Sequence, residues 1–193
     1  MTWLVKVALE RPYTFIVMAL MILIFGPLAA VRTFRFDAET LRTRASGDMT
    51  ACGGGELGLR VPLTPDSPAT APVYDIDIFD DCFVYPQARM DNIRSVDIDV
   101  ARLSRNYGLA HDQSKVKAYP QTSRFGELKV YLDSCDGGQM LAQIPLGDPA
   151  TTPNRQTVTA QVPAQTGIHN LCLVFASPIS GAFYGIGQVQ LKP

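Results

Sequence analysis

The feature that most limits how this 193-residue chain can fold is a run of 20 residues without a charge at 12–31, PYTFIVMALMILIFGPLAAV, closed by Arg32. At about 1.5 Å per residue a helix of that length spans roughly 30 Å, the thickness of a bilayer's hydrocarbon core. A helix buried in a water-soluble core keeps polar residues along one side, and this run carries Tyr13 and Thr14 only at its start. The expectation is one transmembrane helix within residues 1–32. Pro12 suits its first turn, where a missing N–H is harmless, and Gly26-Pro27 bends or ends it. A cleaved secretory signal is the alternative, with Pro27, Leu28, Ala29 and Ala30 near the right place, although the apolar stretch exceeds the usual run of about 7–15 residues.

The stretch around the start of the run, WLVKVALERPYTF at residues 3–15, resembles the opening of resistance-nodulation-division efflux permeases. In that family it begins the first transmembrane helix, with the N-terminus in the cytoplasm. The resemblance covers residues 1–33 and then stops, and a chain of this length with one such helix lacks the many helices of a transporter. It implies topology, not transport. Arg32, Arg35, Arg42 and Arg44 follow the helix, so the positive-inside count alone points weakly the other way.

The cysteines favour the orientation implied by the resemblance. All four, Cys52, Cys82, Cys135 and Cys172, lie after the helix. An even number outside the membrane segment suits an oxidising compartment and hence a periplasmic domain. There is no CxxC pair, so no zinc signature is present. Three disulfide connectivities are open. We take Cys135–Cys172 with Cys52–Cys82 as the expectation, because Cys135 ends one β-like run and Cys172 sits inside another.

Residues 33–50 are polar and read as a linker. From residue 51 to 193 the pattern is β. Short apolar runs recur at 57–63, 73–79, 93–103, 115–119, 127–133, 140–146, 157–162, 170–176 and 184–191, divided by Gly, Pro, Asn and Asp. Val96, Ile98 and Val100 share one face of a strand while Asp97 and Asp99 take the other. Leu128, Val130 and Leu132 alternate in the same way, and Asp136-Gly137 supplies a turn. The fold class is therefore mainly β, an antiparallel β-sandwich of jelly-roll type preceded by one transmembrane helix.

Charge and motifs exclude several functions. Setting aside the six basic and three acidic residues before Ala45 leaves 11 basic against 15 acidic, the wrong sign for a nucleic-acid partner. Neither HExxH, GxSxG nor a phosphate-cradling glycine loop occurs. The two histidines stand alone, Gly53-Gly54-Gly55 is a joint, Asp80 and Asp81 point to opposite faces, and Asp97 and Asp99 read as solvated. Glu56, Asp75 and Asp77 offer oxygens to a hard cation without a dense loop of acids. The expectation is a chain with no cofactor, no metal and no catalytic residue.

The segment least like a strand is SRNYGLAHDQ at 104–113. It brings Asn106, Tyr107, His111 and Asp112 together in one connection, and SPISGAFY at 177–184 adds Tyr184. An aromatic face beside amide, acid and imidazole groups is what a sugar site needs. The runs LGLRVPL at 57–63, DCFVY at 81–85, NYGL at 106–109, GELKVYLDSC at 126–135, GIHNLCLVF at 167–175 and GIGQVQL at 185–191 resemble the accessory C-terminal β domain of bacterial family 20 β-N-acetylhexosaminidases. The last two are also similar to family 6 carbohydrate-binding modules. The hydrolase barrel and its Asp-Glu pair are absent, so the resemblance implies the accessory domain alone. Two readings follow. One is a membrane-anchored, extracytoplasmic carbohydrate-binding or accessory module, with lipid around its helix and a glycan or glycoside hydrolase as partner. The other is a fused fragment of a permease start and a hydrolase end, with no activity of its own.

Overall fold

The computed structural model describes residues 42–52, 58–62, 73–103, 113–179 and 181–193, all of them within one unit, Leu41–Pro193. The run at 12–31, expected to be a transmembrane helix, lies outside the described residues, and so do Asn106, Tyr107, His111 and Asp112. Among the described residues no helix is long and apolar enough to cross a membrane.

Among the described residues eleven strands form two antiparallel sheets. They are β1 (Thr43–Ala45), β2 (Thr50–Ala51), β3 (Gly58–Pro62), β4 (Val73–Asp77), β5 (Cys82–Arg89), β6 (Ser95–Leu103), β7 (Glu127–Leu132), β8 (Gln139–Pro145), β9 (Arg155–Gln161), β10 (Ile168–Ala176) and β11 (Phe183–Lys192). One sheet runs β3-β4-β11-β6-β9, with β1 paired to the edge of β11; the other runs β2-β5-β10-β7-β8. The alternation read in the sequence places the core between them. Val96, Ile98 and Val100 of β6 and Ile186, Val189 and Leu191 of β11 meet Phe83 and Tyr85 of β5, Leu128 and Val130 of β7, and Leu171, Leu173 and Phe175 of β10 in one buried cluster. Burying such side chains stabilises the fold by about 1.5–3 kcal/mol each relative to exposure.

Eight of the nine expected runs overlap strands. The exception is 115–119. Gln113–Lys115 is a 3-10 turn, and the chain then crosses irregularly, with Lys117 N donating to Phe79 O at 2.7 Å. Val116 is half-buried and Ala118 exposed, so the stretch turns no continuous apolar face to the core. Thr43–Ala45 and Thr50–Ala51 lie in and just beyond the stretch read as a linker, yet both are sheet strands, pairing with Gln188–Gln190 of β11 and Phe83–Val84 of β5.

Strand β5 was not among the expected runs, and it carries Pro86, a residue that suits edges and bulges rather than the middle of a sheet. The structure places Pro86 where the ladder is already broken. The β5–β10 register jumps between His169 and Leu171, and Gln87 takes a positive φ of 53°. The Gln87 amide, turned out of the ladder, donates to Asn170 Oδ1 at 3.0 Å.

The outer face of the five-stranded sheet is covered. Glu127 is fully buried there, where its carboxylate accepts from Thr122 N at 2.9 Å, Ser123 N at 3.0 Å and Ser123 Oγ at 2.6 Å, with Lys129 Nζ 3.4 Å away. Burial alone pushes this acid up, but the Ser123 and Thr122 donors and Lys129 outweigh it and hold Glu127 below the usual carboxylate range.

Candidate functional site

The outer face of the six-stranded sheet is polar where β9, β6 and β11 run side by side. The register sets Asp97 opposite Gln190 on one side and Thr159 on the other, and Asp99 opposite Thr157. A register shift between Ile186 and Val189 keeps both of those apolar side chains in the core and turns Gln188 outward. The result is a groove of about 500 Å³ lined by Asp97, Asp99, Arg155, Gln156, Thr157, Gln188 and Gln190.

Asp99 of the groove is braced by a buried tyrosine. Tyr74 of β4 is buried at 1% exposure and lies flat against β11, in room left by two glycines. A Cβ at Gly187 would stand 2.8 Å from Tyr74 Cε1 and 3.0 Å from Asp99 Oδ2, and one at Gly185 would meet Ile76 Cγ2 at 2.6 Å. The Tyr74 hydroxyl donates to Asp99 Oδ2 at 2.9 Å. Arg155 donates to the same oxygen from its guanidinium at 3.1 Å, with its charge 5.6 Å from the centre of the Tyr74 ring. Burial, then the Asp99 carboxylate, pushes the Tyr74 phenol well above its usual range, so it stays a donor.

Asp97 is held as firmly. Thr159 Oγ1 donates to it at 2.8 Å and Lys192 Nζ pairs with its other oxygen. The Lys192 hydrogen bond leads in holding Asp97 below the ordinary carboxylate range, against partial burial. The two aspartates are thus not freely solvated, as the alternation alone had it. Their side chains are 17% and 16% exposed and each is locked by a cation. Asp97, held ionised by Lys192, accepts hydrogen bonds. With three glutamine amides and a threonine hydroxyl beside them, the groove offers donors and acceptors along about three strands' width and, among the described residues, no exposed aromatic ring.

The sugar-site residues expected from sequence divide into two groups. Asn106, Tyr107, His111 and Asp112 lie outside the described residues. Tyr184 is placed in the core: it is 3% exposed and its ring stacks on Phe175 at 5.1 Å between centroids. Its position opposite Arg102 on β11 turns it inward beside Ile186, so its ring has no face to offer a ligand. The groove residues Arg155, Gln156, Thr157, Gln188 and Gln190 were not singled out in the sequence. Their signal was the polar half of three alternating strands, which looks the same whether a face is flat or hollow.

The cysteines pair as expected, Cys52 with Cys82 and Cys135 with Cys172. All four sulfurs gather at the outer face of the five-stranded sheet, away from the groove strands.

No family model matches the chain, and no curated protein matches it. Among solved structures it is similar to the module CsCBM6-3 of Clostridium stercorarium, solved with cellobiose, at 15% identity and a TM-score of 0.49, over 78% of this chain and 92% of that one. A β-1,3-glucan-binding CBM6 from Bacillus halodurans gives the same identity and score over 78% and 95%. A family 43 arabinoxylan arabinofuranohydrolase from Bacillus subtilis, solved with cellotetraose, matches at 18% identity and a TM-score of 0.47; the match covers 70% of this chain and 24% of that one. At these scores the likeness assigns no ligand, and the site stands on its own geometry. The findings carry no link to a hexosaminidase or an efflux permease.

Proposed function

We propose that the sandwich is a non-catalytic glycan-binding module, held at a membrane outside the cytoplasm by the 12–31 helix, and that it takes a sugar chain in the groove of the six-stranded sheet. One observation carries the reading. Two pre-oriented carboxylates, a guanidinium and three amides converge on an open groove of about 500 Å³, large enough for about two sugar rings by the usual scale of ligand sites. Vicinal hydroxyls are recognised by such mixed donors and acceptors, and fixed side chains lose little entropy on binding. Hydrogen bonds net of desolvation give about 1 kcal/mol each, so three or four of them without ring stacking correspond to a Kd near 1 mM.

The test is titration calorimetry of the detergent-solubilised full chain with neutral oligosaccharides, N-acetylglucosamine oligomers and β-glucan oligomers among them. Saturable binding by one class supports the reading. Absence of binding by every class favours the fused fragment without activity of its own.

A further inference from the structure

The four cysteines come from four separate segments and arrive at one point. Cys82 of β5 and Cys172 of β10 share the outer face of the five-stranded sheet, two residues apart in register, since Cys172 stands opposite Val84 and Val174 opposite Cys82. Both are buried, at 0% and 1% exposure. Cys52, just beyond β2, and Cys135, in the turn between β7 and β8, reach down onto them. Two bridges need only two pairs of neighbours, and here the pairs themselves touch. Cys52 Sγ lies 3.3 Å from Cys135 Sγ, its counterpart in the other bridge. The sulfurs of Cys52, Cys82 and Cys135 all lie within 4.8 Å of one another, and the fourth is bonded to Cys135.

This is the spacing of a metal centre. Zinc holds four thiolates at about 2.3 Å in a tetrahedron, which sets the sulfurs about 3.8 Å apart. We propose that the four cysteines are one ligand set with two states: two disulfides when oxidised, and a tetrathiolate site for a single thiophilic divalent cation of the Zn²⁺ class when both bridges are reduced. The chemistry balances. A dithiol gives each bridge two electrons and two protons and becomes a disulfide; with a phosphine, the phosphorus gives the two electrons while water gives the two protons and the oxygen of the phosphine oxide. Each bridge becomes two thiols. The incoming cation displaces the thiol protons and accepts four sulfur lone pairs, with no further redox change. Side-chain rotation at Cys52 and Cys135, which are half-buried, opens each former bond to the tetrahedral separation. In either state the same four segments are fastened at the same point, so the cation substitutes for the cross-links. The absence of a CxxC signature does not bear on this, because sequence spacing reports only sites whose ligands share a loop. The inference is independent of the glycan reading.

The test uses the full chain, reduced with a phosphine under anaerobic conditions so that no added thiol competes for metal. Co²⁺ is titrated while the tetrahedral d–d bands and the sulfur-to-cobalt charge transfer are followed. Saturation at one ion per chain, displacement by Zn²⁺, and no such bands from the oxidised chain are expected. Cys52→Ser should weaken Co²⁺ binding by more than about 100-fold, since even outer-shell changes at zinc sites cost up to that much. Far-UV circular dichroism of the reduced chain, with and without Zn²⁺, covers the case in which reduction unfolds the sandwich: metal should restore the β signal. A reduced chain that gives no tetrahedral bands, binds with octahedral spectra, or stays unfolded with Zn²⁺ present would overturn the proposal.

Discussion

The Tyr74 hydroxyl reaches Asp99 Oδ2 at 2.9 Å, and so fixes a carboxylate that lines the groove. The donor comes from a strand 25 residues away in sequence and on the far side of β11. Tyr74→Phe removes the hydroxyl and leaves Arg155 as the partner of Asp99. The expected result is a stability loss of about 1.5 kcal/mol, the size of one hydrogen bond to a charged group, with the fold retained. Urea unfolding of the two chains measures it.

Gly187 is what lets Tyr74 lie there. A methyl group would press on the ring at 2.8 Å and on Asp99 at 3.0 Å. Gly187→Ala should therefore destabilise by about 1–3 kcal/mol, the range for overpacking a filled site. In the background of Tyr74→Ala the same change should cost under half as much. A double-mutant cycle by urea unfolding reads the difference.

Each disulfide should be worth roughly 2–4 kcal/mol, by limiting the unfolded chain. Replacing Cys135 and Cys172 together by serine is expected to lower the unfolding free energy read by urea by that amount. Peptide mapping without reductant should recover Cys52–Cys82 and Cys135–Cys172.

His169 and Asp133 set a pH dependence at one end of the five-stranded sheet, where β10 begins and β7 has ended. His169 Nδ1 lies 2.8 Å from Asp133 Oδ2 and Nε2 lies 2.9 Å from Thr166 O, so both ring nitrogens face acceptors. The Asp133 hydrogen bond, then that of the Thr166 carbonyl, raises the imidazole above its ordinary value. A raised group stabilises the fold fully below the unfolded imidazole pKa and loses that contribution as pH rises through the higher folded value. The His169 bond, with the Asn170 amide, holds Asp133 below the usual carboxylate range; its share is present above the unfolded carboxylate pKa and lost as pH falls through the lower folded one. In NMR titrations Asp133→Ala should move the His169 midpoint down, and the wild-type midpoint should lie above that of a free imidazole.

Much of the sandwich was legible because alternation is a local signal. Val96, Asp97, Ile98, Asp99 and Val100 declare which side is core without reference to any partner. What stood across from Asp99 was not legible. Arg155 lies 56 residues away and Tyr74 lies 25 away, and their meeting depends on strand order, which no local pattern states. Tyr184 misled for the same reason. A tyrosine after a glycine-containing connection looks like a rim residue, and only the β11–β6 register turns it inward onto Phe175. Strand β5 did not stand out as a run, and the Pro86-Gln87 bulge within it is defined only against its partner β10, where the two residues face Asn170 alone. The disulfide pairing followed from placing Cys135 and Cys172 in neighbouring runs, whereas the approach of the two bridges to each other needed the sheet.

The central claim, that the groove lined by Asp97 and Asp99 holds the sugar, is tested most directly by backbone NMR of the full chain in detergent micelles during titration with the oligosaccharide selected by calorimetry. The expected result is saturable shift changes centred on Asp97, Asp99, Thr157, Gln188 and Gln190, with Asp99→Ala weakening binding at least tenfold while Tyr107→Ala leaves it within about twofold, since a lost hydrogen bond to a fixed carboxylate is worth about 1.5–3 kcal/mol. Shift changes confined to residues 104–112, with binding abolished by Tyr107→Ala and untouched by Asp99→Ala, would contradict it.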